Sequence, residues 1–568
     1  MRIIPDNSNP GPCLMSATSL VRRRAASPRP LQWLLMLLCL VLALPVVSIA
    51  SSWLSFDATA RETLAHQLDT VLPGYALASL QLTLPVALGV AVLGGGAAAL
   101  VTLLRFPGRD LMEWALLLPL AMPAYVLAYV YTDTLQSSGP LQMWLRERTQ
   151  ATGALWPDIR STPGAVALFI LTLYPYVYLL VRTALTERGA VLMEAARLLG
   201  AGPWRRLTEV ALPLARPALA AGVALALMET LADYGVGAYF GLSTFTTGIY
   251  KAWLSFGDRH AAAQLATVLL LVVGVLVWLE RRAQSRLRFA TSRGSGSSPE
   301  ARPVTLQGLQ ALAALLACLL PVLLGFVLPV LLLLRLVTLE ALYGEFGLPW
   351  ERFGQWAWAS LRLSGLAALA AAALALLMAF VQRLQPHPLL AASVRVVSLG
   401  YAVPGAVIAI GLLLPSGWAQ QRWPDSQLGT VLTSTSLGLV YAYLVRFSAV
   451  ALQSVEAGYA RVPGSLDETA RMLGAGPARL LARIHLPLLH RTVLAAALLV
   501  FVDVMKELPA TLALRPFNSD TLAIIASQLA RDERLAEAAL PSLALVTVGL
   551  APVILLSRAM RRGESVAT

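Results

Sequence analysis

The chain runs to 568 residues, 57% of them hydrophobic and only 13% charged, a balance that excludes an ordinary soluble domain. Its net charge of +13 would suit nucleic acid, but the arginines cluster beside apolar runs, as at Arg22 to Arg24 and Arg281-Arg282. That placement points to anionic membrane lipid and away from nucleic acid.

A bilayer-spanning helix needs about 20 apolar residues, because lipid offers no partner for stray backbone groups. Such runs predict spans near 31–50, 75–104, 111–132, 165–182, 217–234 and 262–279. Six more are predicted near 309–334, 362–381, 396–415, 429–450, 492–509 and 538–557. The first run follows Arg22 to Arg24 and Pro28 and reads as a retained signal anchor, with Ser48-Ile49-Ala50 the alternative cleavage point. Twelve spans place both termini on one side. Lys and Arg concentrate in the segments that share that side, so it is expected to be the cytoplasm. Cys13, Cys39 and Cys318 are scattered and form no disulfide framework or metal-ligand spacing. The histidines are expected at surfaces or interfaces, His485 and His490 among them.

One internal repeat organises the chain. Residues 194–214 (EAARLLGAGPWRRLTEVALPL) align without a gap on residues 468–488 (ETARMLGAGPARLLARIHLPL) at an offset of 274. In each copy a short helix-forming run is stopped by Gly-Ala-Gly-Pro, and a second helix leads into the Leu-Pro before the next span. Each copy is thus expected to be a helix, a turn and a helix on the cytoplasmic side. Residues 280–305, polar and rich in Ser, Gly and Arg, read as a cytoplasmic linker. The expected organisation is a first half at 1–279 with a docking loop near 183–216, then the linker. A second half follows at 306–568, with a docking loop near 451–491.

The repeat resembles the EAA loop of ABC importer permeases. Glu194, Ala195, Ala196, Gly200 and Pro213 match in the first copy; Glu468, Ala470, Gly474 and Pro487 match in the second, where Thr469 replaces the middle alanine. Longer strings, METLADYGVGAYFGLSTFTTGIYKAWLSFGD (228–258), DVMKELPATLALRPFNSDTLA (503–523), LAMPAYVLAYVYTD (120–133) and YAVPGAVIAIG (401–411), resemble the fused permeases of ferric iron importers. Fused permeases for thiamine, polyamines and phosphonates share this architecture. The resemblance implies an all-α inner-membrane protein of about twelve helices in two pseudo-twofold halves. It also implies two partner ABC ATPase subunits that bind ATP and magnesium, and a periplasmic substrate-binding protein that delivers the cargo. This chain would carry no cofactor and catalyse no reaction. Its only lysines, Lys251 and Lys506, follow Tyr250 and Met505, so it holds no Gly-Lys-Ser/Thr phosphate loop. An ion-coupled secondary transporter would also lack that loop, but would leave the duplicated docking segment unexplained.

The same offset superposes Glu229 on Asp503 and Asp233 on Glu507. Each pair is spaced i, i+4 and shares a helix face, about one membrane crossing beyond the Leu-Pro. Carboxylate and phenolate oxygens suit a hard cation such as ferric iron, so Glu229, Asp233, Tyr234, Asp503 and Glu507, with Tyr239 nearby, are candidate substrate-path residues. The alternative is that these acids only position span ends, neutralised by Lys251 and Lys506. No separate metal site is indicated.

Overall fold

The computed structural model describes residues 30–53, 58–202, 205–291, 304–344, 347–425 and 427–565. The Arg22 to Arg24 cluster, Cys13 and the middle of the linker lie outside the described residues. Ten helices among the described residues are long and apolar enough to cross a membrane. They are α1 (Pro30–Ser51), α2 (Leu72–Leu103), α3 (Thr162–Leu198), α4 (Leu212–Ala232), α5 (Arg259–Thr291), α6 (Gly308–Val322) continued by α7 (Leu328–Tyr343), α8 (Trp350–Leu384), α9 (Ser436–Tyr459), α10 (Leu486–Lys506) and α11 (Leu535–Ser565). This is the expected all-α membrane architecture.

The expected spans at 111–132 and 396–415 are not straight. Arg109–Ala121 and Ala124–Thr149 meet at 90°, and Pro388–Ala402 and Gly405–Arg422 meet at 118°. The breaks fall at Met122-Pro123 and Val403-Pro404. Proline excludes the helical conformation from the residue before it, and both Met122 and Val403 are extended.

Prolines leave a second signature. Arg206–Ala211, Leu323–Val327 and Leu481–His485 are wide π-turns, each ending two residues before a proline: Pro213, Pro329 and Pro487. A proline in a helix cannot donate to the carbonyl four residues back and its ring crowds that carbonyl, so the preceding turn widens. The second helix of each docking segment therefore passes through its Leu-Pro into α4 or α10 without stopping.

The two halves are interlocked. α1 lies against Pro388–Val397 and Gly405–Arg422 of the second half. Gln32 donates to the Gln385 carbonyl at 2.9 Å, Ser48 to that of Gly411, and Tyr441 to that of Val41. Leu35, Cys39, Leu42 and Ile49 face the protein, while Leu34, Leu37, Leu40 and Leu44 are exposed, a two-sided pattern suited to lipid on the outer face. Reciprocally, α6 packs on α2, and Tyr131 of the first half donates to the Leu324 carbonyl at 2.6 Å. Within the second half, small residues at helical spacing on α8 (Ser360, Ser364, Ala367, Ala368, Ala371 and Ala375) are buried and let α9 and α10 approach closely.

The linker is more structured at its ends than expected. α5 continues as far as Thr291, and Val304–Thr305 (β2) pairs in parallel with Leu104–Arg105 (β1) at the end of α2.

Candidate functional site

α4 and α10 occupy matching places in the two halves and end alike. α4 stops at Ala232 with Asp233 extended, and α10 stops at Lys506 with Glu507 extended. Each is followed by a short helix, Gly235–Tyr239 or Pro509–Leu514. Both breaks open onto one cavity of about 320 Å³. Helices α3, α9 and α11 and the proline bends at 123 and 404 complete its walls.

The four predicted carboxylates Glu229, Asp233, Asp503 and Glu507 all line this cavity. Asp233 accepts from the Val236 amide at 2.8 Å, capping the short helix that follows it. Glu507 does the same on its side, accepting from the amides of Ala510 and Thr511, each at 3.2 Å. Burying the Glu507 carboxylate would be costly without a counter-charge. The Arg446 guanidinium supplies one at 2.8 Å. Arg446 also reaches toward Glu229, 3.9 Å away across the junction of the halves. Gly405 makes room for this arrangement, because a side chain there would run into the Glu507 carboxylate. Lys506 lines the cavity too and donates to the Leu120 carbonyl at 3.0 Å.

Tyr234 is placed differently. Its ring packs 4.2 Å from that of Tyr250, with the Arg531 guanidinium 5.1 Å above it, behind the cavity wall. Tyr239 lies under Arg160, 4.9 Å from the guanidinium. Lys251 sits over Phe256 and does not line the cavity, where Arg446 stands with Lys506 opposite the acids. Arg446 is not among the residues expected on the path. The signal was an arginine inside a predicted apolar span, where a charge is expensive without a task. Tyr125, Tyr176 and Tyr401, which also line the cavity, carried no comparable signal.

At the other end of α4 and α10 stand the two repeated segments expected to dock a partner. In the second half the expected short helix is present as Gly464–Met472, separated from α9, which ends at Tyr459, and preceded by Pro463, extended at a ψ of 141°. In the first half it is no separate helix. Gly189 occupies the position matching Pro463, and α3 runs unbroken to Leu198. Both then turn identically. Gly200 and Gly474 take positive φ (80° and 78°), and the amides of Ala201 and Ala475 close back on the carbonyls of Ala196 and Ala470, each at 2.9 Å. Nothing lies within 4 Å of a Cβ added at either glycine, so the backbone conformation alone demands it.

Four large apolar side chains, Leu198 and Leu199 in one turn and Met472 and Leu473 in the other, are more than 80% exposed at the tips. Glu468 and Ala195 are exposed and Ala470 is buried; the Glu194 side chain lies outside the described residues. Pro213 and Pro487 set the π-turns behind the tips.

His485, expected at a surface or interface, is fully buried. It bonds Asp467 at 2.8 Å and the Tyr459 hydroxyl at 3.1 Å, and Asp467 accepts from Arg383 at 2.6 Å. Arg383 donates onward to the carbonyls of Tyr459, Val462 and Pro463, fastening the second docking helix to α8. The first half has Met193 and Ala211, both buried, where the second has Asp467 and His485.

Residues 91–288 and 371–563 each match the model of the family described as the inner membrane component of binding-protein-dependent transport systems. The chain is 26% identical to the Fe(3+)-transport system permease protein FbpB 2 of Haemophilus influenzae, covering 83% of this chain and 87% of that one. It is 28% identical to the sulfate transport system permease protein CysT of Escherichia coli over 44% of this chain and 90% of the relative. Against the putative 2-aminoethylphosphonate transport system permease protein PhnU of Salmonella choleraesuis, the identity is 27% over 48% of this chain and 98% of the relative. These relatives are transport permeases and not enzymes. With its domain present twice in one multi-pass chain, this protein belongs to the inner membrane component family of binding-protein-dependent transport systems.

Proposed function

We propose that the chain is the transmembrane permease subunit of an ATP-driven importer whose cargo is ferric iron, received from a periplasmic binding protein and released by alternating access of the cavity. The carrying observation is the cavity where the halves meet, lined by four carboxylates against two cationic side chains. Hard carboxylate oxygen suits a hard trivalent cation, and the printed name of the Haemophilus influenzae relative agrees. Uptake of radioactive ferric iron into proteoliposomes holding the permease, its ATPase and loaded binding protein is the direct test. ATP-dependent accumulation is expected, and its absence refutes the cargo. Arg446 and Lys506 favour a second reading, an oxyanion or phosphonate cargo, which the same vesicles test with labelled sulfate, molybdate and 2-aminoethylphosphonate.

In this reading the halves are residues 1–279 and 306–568, joined by the 280–305 linker, with both termini in the cytoplasm. Two ATPase subunits, holding ATP and magnesium, seat on the exposed tips at Leu198-Leu199 and Met472-Leu473. Apolar side chains so exposed outside the spans mark a protein contact. The motif residues Glu194 and Glu468 border these tips. Charge reversal at both, Glu194→Lys with Glu468→Lys, is expected to release the ATPase from affinity-purified permease and stop transport. Full retention in the double variant would refute the docking assignment.

A further inference from the structure

Resting on the cation reading above, we infer that the four carboxylates divide into two pairs: Asp233 and Glu507 hold the helix breaks, whereas Glu229 and Asp503 meet the cargo, with Arg446 as the resident counter-ion that Glu229 exchanges for it. The division follows from position. Asp233 and Glu507 are the first residues past the ends of α4 and α10, and both are committed to backbone amides of the next helix. Glu229 and Asp503 stand one turn earlier, inside the helices. They face the cavity and accept no hydrogen bond among the described residues.

Arg446 is bound unequally. It is 2.8 Å from Glu507 and 3.9 Å from Glu229, so losing Glu229 leaves it anchored in the wall. The counter-charge is also one-sided. At the offset of 274, Arg446 matches Thr172 and Lys506 matches Ala232, and both uncharged residues line the same cavity. Carboxylates thus come from both halves and cations from the second alone. A guanidinium spreads one charge over a planar group, and a ferric ion concentrates three at a point, so it competes for Glu229 far better than a monovalent cation can. Arg446 thereby sets a threshold of charge density for entry, and cargo binding loosens a contact between the halves.

The test uses the complete transporter in proteoliposomes. Glu229→Gln and Asp503→Asn are each expected to cut ferric iron uptake about tenfold or more, the loss of roughly one charge-assisted contact. Asp233→Asn keeps a capping oxygen and is expected to lose no more than about threefold. Removing Arg446 alone strands Glu507, so the informative variant is Arg446→Gln with Glu507→Gln, which deletes both charges and keeps one acceptor oxygen for the amides of Ala510 and Thr511. Purified permease carrying it should bind gallium(III) several-fold more tightly than the unaltered protein and discriminate less against manganese(II). Equal losses from Asp233→Asn and Glu229→Gln, or unchanged gallium and manganese binding in the double variant, overturn this inference while leaving iron transport standing. No ferric iron uptake by the unaltered complex overturns the cation reading and this inference with it.

Discussion

Single side chains distinguish the two docking segments more sharply than their shared motif suggests. Burial alone would raise the Asp467 carboxyl, but its hydrogen bonds from Arg383 and His485 outweigh that and hold it below the usual carboxylate range. A depressed folded value means that Asp467 contributes stability above its ordinary pKa of about 4 and loses it as pH falls through the lower folded value. Amide exchange across residues 464–473 is therefore expected to accelerate as pH falls below about 4. The first turn, with Met193 at the matching place, should show no such step. Asp467→Asn should abolish the difference, and an identical acid response in both turns would contradict it. This asymmetry was half-written in the sequence, since the offset sets Met193 against Asp467 and Ala211 against His485. Burial of His485 was not, because a histidine beside a Leu-Pro looks the same whether it faces lipid, water or a carboxylate. The carboxylate pairs were visible because duplication marked them; Arg446 has no charged counterpart in the first half and so carried no such mark.

Among the helices, the apolar runs were readable and their bends were not. Pro85 and Pro175 sit inside helices that continue past them, whereas Pro123 and Pro404 break theirs by 90° and 118°. The residue is the same; the outcome depends on neighbours that re-satisfy the freed carbonyls, and these come from distant parts of the chain. The Leu-Pro pairs are intermediate, giving a wide turn in place of a break. Pro213→Ala with Pro487→Ala should restore the missing backbone donors and draw residues 206–211 and 481–485 back into regular α-helix. Slower amide exchange there and a raised unfolding temperature are expected. ATP turnover by the proposed partner ATPase should persist while cargo moved per ATP falls, because each π-turn lies between an exposed tip and the helix bearing the cavity acids. Unchanged exchange at 481–485 would show that the proline does not cause the turn.

At the scale of the whole molecule, duplication predicts two alike halves, and the structure adds that each lends its first helix to the other. A gap-free repeat reports which segments are homologous and says nothing of which half they pack against. Cutting the chain between Thr291 and Val304 should be tolerated. Separately encoded halves are expected to co-purify and transport, held by α1, α6 and the β1–β2 pair, and halves that do not associate despite good expression would refute this. A reporter active only after export, inserted after Ser295, should stay silent if that segment is cytoplasmic. The crossing of α1 also imposes a schedule on synthesis. Ser48 and its acceptor Gly411 are 363 residues apart, which at about 5 to 20 residues per second is a delay of about 20 to 70 s. Throughout that interval α1 is already made while the surface that covers Leu35, Cys39 and Leu42 does not yet exist. A helix made early is therefore among the last to find its place. Nascent chains arrested before residue 411 should leave it open to membrane proteases that the finished transporter resists.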